Sequence, residues 1–171
     1  MANIFQLDLR MLLWFAKIEQ KPRWCLAGKC ISKTGDGYLQ AALPLLIWLA
    51  NVNAAAQFVI SCLIAFSIER PVYFVLKNSL KRRRPPQAIP YFNSTIIASD
   101  EFSFPSGHTS AAFLLAYISW QFFAVLGLIL FAWAILVGCS RVLLGVHFPS
   151  DIIAGASLGL CIGYSIVNFI Y

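Results

Sequence analysis

The chain has 171 residues, 60% of them hydrophobic and 12% charged, with a mean hydropathy of +0.75. That balance is too apolar for a water-soluble domain, and the length suits about five or six membrane-spanning helices in one membrane domain. The formal charge of +6 points to anionic partners, and at this hydropathy those are lipid headgroups rather than nucleic acid.

A cleavable signal peptide is not expected, because Asp8 and Arg10 fall where its apolar core belongs. Residues 4–20 mix Phe5, Leu9, Leu12, Phe15 and Ile18 with Asp8, Arg10, Lys17 and Glu19, a pattern for an amphipathic helix lying in the interface. Lys21-Pro22-Arg23 breaks it. Trp24–Ser32 reads as a second interfacial piece, and Thr34-Gly35-Asp36-Gly37 as a turn.

A first span is predicted from Tyr38 to about Ala50, with Asn51-Val52-Asn53 as its turn. A second runs from Ala54 through Leu76 and carries Glu69, Arg70 and Pro71 near its end, where charges can snorkel but are also candidates for function. Lys77–Tyr91 is basic and proline-rich, in a loop that continues to Phe104. The run Thr109–Cys139 is apolar, and from His108 to Arg141 one helix would be about 50 Å long, against a hydrocarbon core of about 30 Å. Two passes turning near Trp120-Gln121 fit better and return Arg141 to the side of His108. Asp151–Tyr171 is the last span, with Gly155, Ala156, Gly159 and Gly163 available for close helix contact. The five cysteines lack zinc or redox spacing and read as small buried hydrophobes. The turns on the far side carry no formal charge, so the protein is expected to have one chemical face.

Three stretches meet on that face. In Lys77–Pro85, a seven-residue step along a helix sets Lys77 and Arg84 on one side before Pro85 ends it. In Phe104-Pro105-Ser106-Gly107-His108, a capping serine and a glycine open a helix whose free N–H groups and dipole suit an anion. In Ser140–Asp151, Arg141 offers a planar fork, and one helical turn sets the Asp151 carboxylate beneath the His147 imidazole. Such a carboxylate fixes the tautomer and frees the other ring nitrogen to attack an electrophile. Taken singly, each stretch also suits an ordinary headgroup contact, capped helix or juxtamembrane loop. Together they gather three cations, an anion nest and both histidines of the chain.

At this point the chain resembles the type-2 phosphatidic acid phosphatase family, which also includes glucose-6-phosphatases, bacterial acid phosphatases and vanadium haloperoxidases. The family signature, Lys-x6-Arg-Pro, Pro-Ser-Gly-His and Ser-Arg-x5-His-x3-Asp, stands here as Lys77…Arg84-Pro85, Pro105-Ser-Gly-His108 and Ser140-Arg141…His147…Asp151, without departures. The first 37 residues lie outside the resemblance, and the signature does not account for Gly35-Asp36-Gly37. The resemblance implies an all-α polytopic transmembrane bundle of about five spans, or six if residues 1–37 hide another. Residues 1–37 are then an interfacial segment and 38–171 a transmembrane phosphatase domain. It implies a multi-pass protein of the bacterial inner membrane that hydrolyses the terminal phosphate of a phospholipid or polyprenyl diphosphate. His147 is implied as the nucleophile, Asp151 as its orienting partner and His108 as the general acid and base. Lys77, Arg84, Ser106, Gly107 and Arg141 are implied as the phosphate cradle. No metal or other cofactor is called for, since no cysteine, histidine and carboxylate cluster has ligand spacing. A competing reading is a non-enzymatic membrane protein whose basic face holds anionic lipid headgroups. A transporter is weaker, because no charge is expected at mid-membrane depth.

Overall fold

The computed structural model describes residues 2–98 and 100–171, and regular structure among them is wholly helical. Eight helices follow one another: α1 Ala2–Glu19, α2 Pro22–Thr34, α3 Tyr38–Leu49, α4 Ala55–Leu80, α5 Pro85–Ala88, α6 Gly107–Phe122, α7 Ala124–Leu143 and α8 Pro149–Ile170. Their boundaries follow local chemistry. Pro22 opens α2 at its first position, where a missing N–H costs nothing. Gly37, at φ +103°, turns the chain into α3.

The stretches Ala55–Ala88, Ala124–Leu143 and Pro149–Ile170 are long and apolar enough to cross a membrane; α3 and α6 have 12 and 16 residues and fall short of that length. The outer faces of the long helices expose Leu63, Phe74, Leu128, Ile129, Ile153 and Phe169. So broad an apolar belt suits hydrocarbon rather than water.

Helix α6 is the axis. It packs against α7, α8 and α4, and Ala112, Leu114, Leu115, Ala116 and Ile118 are all fully buried. Around them Phe58, Cys62, Ala65, Ala134 and Val137 complete the main core. The predicted turn is found at Phe123, where α6 doubles back into α7 so tightly that a Cβ on Gly127 would collide with the backbone of Trp120. On α8, the four-residue spacing of Gly155, Gly159 and Gly163 forms one smooth stripe against α6. A Cβ at Gly155 would lie 2.5 Å from the Ser106 carbonyl oxygen, and one at Gly163 would lie 2.9 Å from the Tyr117 ring.

The N-terminal helices are not merely laid on the membrane surface. Helix α2 packs on α7 and buries Gly28 and Ser32, while α1 touches both α7 and α8. Leu12 of α1 forms a second small core with Val142 and Phe148. Asp8 of α1 is buried. Among the cysteines, only Cys62 is a buried hydrophobe as expected; Cys30, Cys139 and Cys161 face outward and Cys25 is half-buried.

Because α6 and α8 meet through glycine, added volume there has nowhere to go. A Cβ at Gly159 would strike the Ser110 carbonyl and sit 2.9 Å from the Leu114 nitrogen. Gly159→Ala is expected to destabilise by about 1–3 kcal/mol through overpacking. In detergent this reads as a Tm lowered by roughly 2–10 °C. An unchanged Tm would show that the helices can part without cost.

Candidate active site

Two helix junctions build the centre. Helix α7 ends after Ser140 and Arg141, and Gly145, at φ +73°, hooks the chain back beneath Phe92. Pro149 then starts α8, leaving His147 and Phe148 just before it. His147 therefore does not sit one helical turn from Asp151, as the four-residue spacing suggested. It lies in the connection, and Asp151 is in the first turn of α8. The two still meet: His147 Nδ1 is 3.5 Å from Asp151 Oδ2, an ion-pair distance longer than an ordinary hydrogen bond. Asp151 Oδ2 accepts the N–H of Phe148 at 2.8 Å, closing the helix start as the third residue of a capping box does. His147 is 1% exposed. Burial drives its pKa down to about 4, with the Asp151 carboxylate pulling the other way and Arg84 and Arg141 adding to the fall.

The second junction is the start of α6. Ser106 holds the N-cap position, but its hydroxyl does not cap the helix, as was expected. It accepts a hydrogen bond from Thr109 Oγ1 at 2.9 Å. The Ser106 N–H donates to the Asp151 carbonyl at 3.0 Å, which ties the start of α6 to the start of α8. Gly107 packs so close to Tyr73 that a Cβ would be 2.8 Å from its ring. His108 Nε2 is 2.8 Å from Asp36 Oδ1, in the turn between α2 and α3.

The cations arrive by a different path than the helical spacing suggested. Helix α4 ends at Leu80, Lys81 adopts φ +46°, and Arg84 is the extended residue ahead of α5. Lys77 and Arg84 thus share no helix face, yet they converge on one carboxylate, Asp100, with which both form ion pairs. Tyr73 donates its hydroxyl proton to Asp100 at 2.8 Å and accepts from Lys77 Nζ at 2.6 Å. Arg84 also donates to the carbonyls of Asp100 at 3.0 Å and Val146 at 2.6 Å. Burial raises the Asp100 carboxyl, but Lys77, Tyr73 and Arg84 more than reverse this and hold it below the ordinary carboxylate range. Arg141 donates from Nη1 to Ser32 Oγ at 2.6 Å, while its buried Nε finds no partner among the described residues.

A cavity of about 700 Å³ opens on this face, lined in part by Asp36, Tyr73, Asp100, Gly107, His108 and Arg141. Lys77, Arg84 and His147 do not line it, and Asp100 stands between the first two and the opening. All eight residues expected at the site, Lys77, Arg84, Ser106, Gly107, His108, Arg141, His147 and Asp151, fall in this one region.

The sequence left out their partners. Arg82 donates from Nη1 to Asp151 Oδ1 at 2.7 Å and from Nη2 to Asp8 Oδ2 at 2.7 Å. In the sequence Arg82 was one basic residue in a run of four. Asp8, Ser32 and Asp36 come from residues outside every motif, and only the unexplained Gly35-Asp36-Gly37 marked one of them. Glu69, expected as a candidate, is fully buried, pairs with Arg70 and accepts from Ser110 Oγ at 2.6 Å.

The PAP2 superfamily model matches residues 45–171. The bacitracin transport permease protein BcrC of Bacillus licheniformis is 32% identical over 120 residues, which cover 70% of this chain and 59% of that protein. Phosphatidylglycerophosphatase B of Bacillus subtilis is 31% identical over 157 residues, covering 80% and 72%. This chain therefore spans less than two thirds of the first relative and somewhat more of the second. The crystal structure of a transmembrane PAP2-type phosphatidylglycerolphosphate phosphatase from Bacillus subtilis superposes with a TM-score of 0.78 at 25% identity, over 99% of this chain and 87% of that one. With the motifs gathered at one end of an apolar helical bundle, and sequence and fold agreeing over most of its length, this integral membrane chain belongs to the PAP2 superfamily.

Proposed function

We propose that the protein is a lipid phosphatase that removes a terminal phosphate through a phosphohistidine on His147. The observation that carries this is a buried imidazole backed by Asp151, beside three cations at the ends of apolar helices. Lys77, Arg84 and Arg141 hold the phosphate with the Ser106 hydroxyl and the N–H at Gly107, the phosphate displacing the Asp100 carboxylate from the first two cations. The Asp151 carboxylate keeps the proton on His147 Nδ1, so the lone pair of Nε2 attacks phosphorus. The phosphorus–oxygen bond to the lipid breaks as His108 gives that oxygen a proton. Water then attacks the phosphohistidine, His108 takes the water's proton, and phosphate leaves with His147 restored.

The substrate belongs to the class of phosphatidic acid, phosphatidylglycerophosphate and undecaprenyl diphosphate, whose phosphates lie at headgroup depth while their chains remain in hydrocarbon. The phosphatidylglycerophosphatase relatives support a bacterial inner membrane setting. Residues 1–37 act as an interfacial segment beside a transmembrane phosphatase domain of residues 38–171. Phosphate release from these lipids by purified protein in detergent tests the class. Release is expected to be much faster than from water-soluble esters at equal concentration, and a preference for soluble esters refutes it. Binding of anionic lipid that His147→Ala leaves intact, with no release by either protein, favours the non-enzymatic alternative.

The two histidines separate by leaving group. His147→Ala is expected to abolish turnover and the acid-labile phosphoryl label. His108→Ala is expected to hurt alkyl phosphates most, because a diphosphate leaving group is already acidic. Asp151→Asn should fold but lose about 10²–10⁴ in rate. Label that survives His147→Ala and vanishes in His108→Ala reverses the assignment.

Attack requires a neutral imidazole, and its state is legible in stability. Folded His147 binds a proton only near pH 4, whereas the unfolded residue does so near 6.5. Between those values the unfolded chain holds the extra proton, so Tm falls as pH drops through the window. His147→Gln should flatten that part of the Tm profile. The contribution of Asp100 lies lower: it is lost only as pH falls below its unfolded value of 3.8. A His147→Gln profile parallel to wild type between pH 4 and 6.5 contradicts the assignment of a buried neutral imidazole.

A further inference from the structure

We propose that Arg82 and Asp8 are positioning residues for the nucleophile, so that the N-terminal helix α1 sets the orientation of Asp151 and, through it, of His147. This rests on the phosphohistidine reading above. The Arg82 guanidinium binds both carboxylates with different nitrogens: Nη1 donates to Asp151 Oδ1 at 2.7 Å and to Ser150 Oγ at 2.6 Å, and Nη2 donates to Asp8 Oδ2 at 2.7 Å. Its carbon lies 4.3 Å from the centre of the Phe148 ring. Asp8 in turn accepts the Ser150 N–H at 2.9 Å and the Ser150 hydroxyl at 2.5 Å. The pair thereby grips Phe148, at the N-cap, and Ser150 and Asp151 in the first turn of α8.

The grip matters because of what it leaves to Asp151. Arg82 occupies Oδ1 and the Phe148 N–H occupies Oδ2, so the carboxylate cannot rotate, and Oδ2 is held facing His147 Nδ1 at 3.5 Å. Without Asp8, the second nitrogen of Arg82 and the Ser150 N–H, a free donor of a helix start, both lose their partner. A lysine cannot replace Arg82, since a point charge does not bridge two carboxylates as a planar fork does. The polar chain is placed by apolar packing: Leu12 is fully buried against Val142 and Phe148, and the Phe5 and Phe148 rings lie 6.1 Å apart.

A plain latch that only docks α1 makes different predictions. The charged groups that face His147 are Asp151 on α8, Arg84 before α5 and Arg141 on α7, and Arg82 offsets the first of these. Removing Arg82 leaves the Asp151 charge uncompensated beside the imidazole. The test uses the full chain in detergent with phosphatidic acid, and reads kcat, KM, the rapid-quench rate of phosphoryl labelling, the pH profile and Tm. Asp8→Asn and Arg82→Gln are expected to lower kcat and the labelling rate about 10–100-fold, the usual range for groups that orient a reacting ligand, with KM little changed. Arg82→Gln should also move the acid limb of kcat to higher pH than wild type on the same substrate. Arg82→Lys should recover little, and Asp8→Glu part of the loss. Leu12→Ala should lower Tm and leave the acid limb in place. If Asp8→Asn lowers Tm as Leu12→Ala does while keeping wild-type kcat and acid limb, α1 is only a latch and the proposal fails. Should Asp8→Asn not accumulate, wild-type kcat in Arg82→Lys overturns it equally. Absence of label in wild type, with turnover surviving His147→Ala, overturns the nucleophile assignment itself, and with it this proposal.

Discussion

Positive charge gathered at one end of an apolar bundle must be kept in place by the fold itself. In a partly buried site an uncompensated cation costs several kcal/mol, so the fold needs internal anions wherever it has collected cations. It has them in nearly every case. Lys77 and Arg84 rest on Asp100, Arg82 on Asp8 and Asp151, Arg70 on Glu69, and His108 on Asp36. The chain has only seven acidic residues, and five of them serve in these pairs. Arg141 is the exception: its neutral partner Ser32 leaves Nε free. A guanidinium that forms no ion pair among the described residues is the cation of this group with most to gain from an incoming anion.

The same pairs connect the site to the packing of the bundle. The junctions that carry His108 and Asp151 are joined by one backbone bond from the Ser106 N–H to the Asp151 carbonyl. That bond forms only because the glycine stripe on α8 lets it approach α6 closely, with Gly155 directly against the Ser106 carbonyl. Close packing in the apolar core therefore fixes the separation of the two histidine motifs. Helix ends supply the rest, since only there do free backbone donors meet the membrane boundary.

How much of this was readable in the sequence depended on how local each signal was. Motif spacing collected eight residues that the fold brings into one region, and hydropathy with helix length found the reversal at Phe123. Helical geometry was carried too far, however. Lys77 and Arg84 were expected on one helix face, and His147 one turn from Asp151. In the first pair the chain leaves the helix at Lys81, and in the second it enters one only at Pro149. Each pair still meets, because Lys77 and Arg84 converge on Asp100 and His147 faces Asp151 without a shared helix. The partners were harder to see. Arg82 to Asp8 spans 74 residues, His108 to Asp36 spans 72, and Arg141 to Ser32 spans 109, distances over which no periodicity carries information.

Helix α1 shows why composition alone misjudges such a segment. Its outer face exposes Phe5, Leu7, Met11 and Trp14, which is what an interfacial helix presents to lipid. Its inner face offers Leu12 to the core and Asp8 to the polar centre. A hydropathy average counts Asp8 as a reason for the helix to stay in water. The structure makes the opposite use of it: one buried carboxylate holds two donors at the start of α8 and one nitrogen of Arg82. A residue that lowers the hydropathy of α1 thus joins it to the polar centre of the protein.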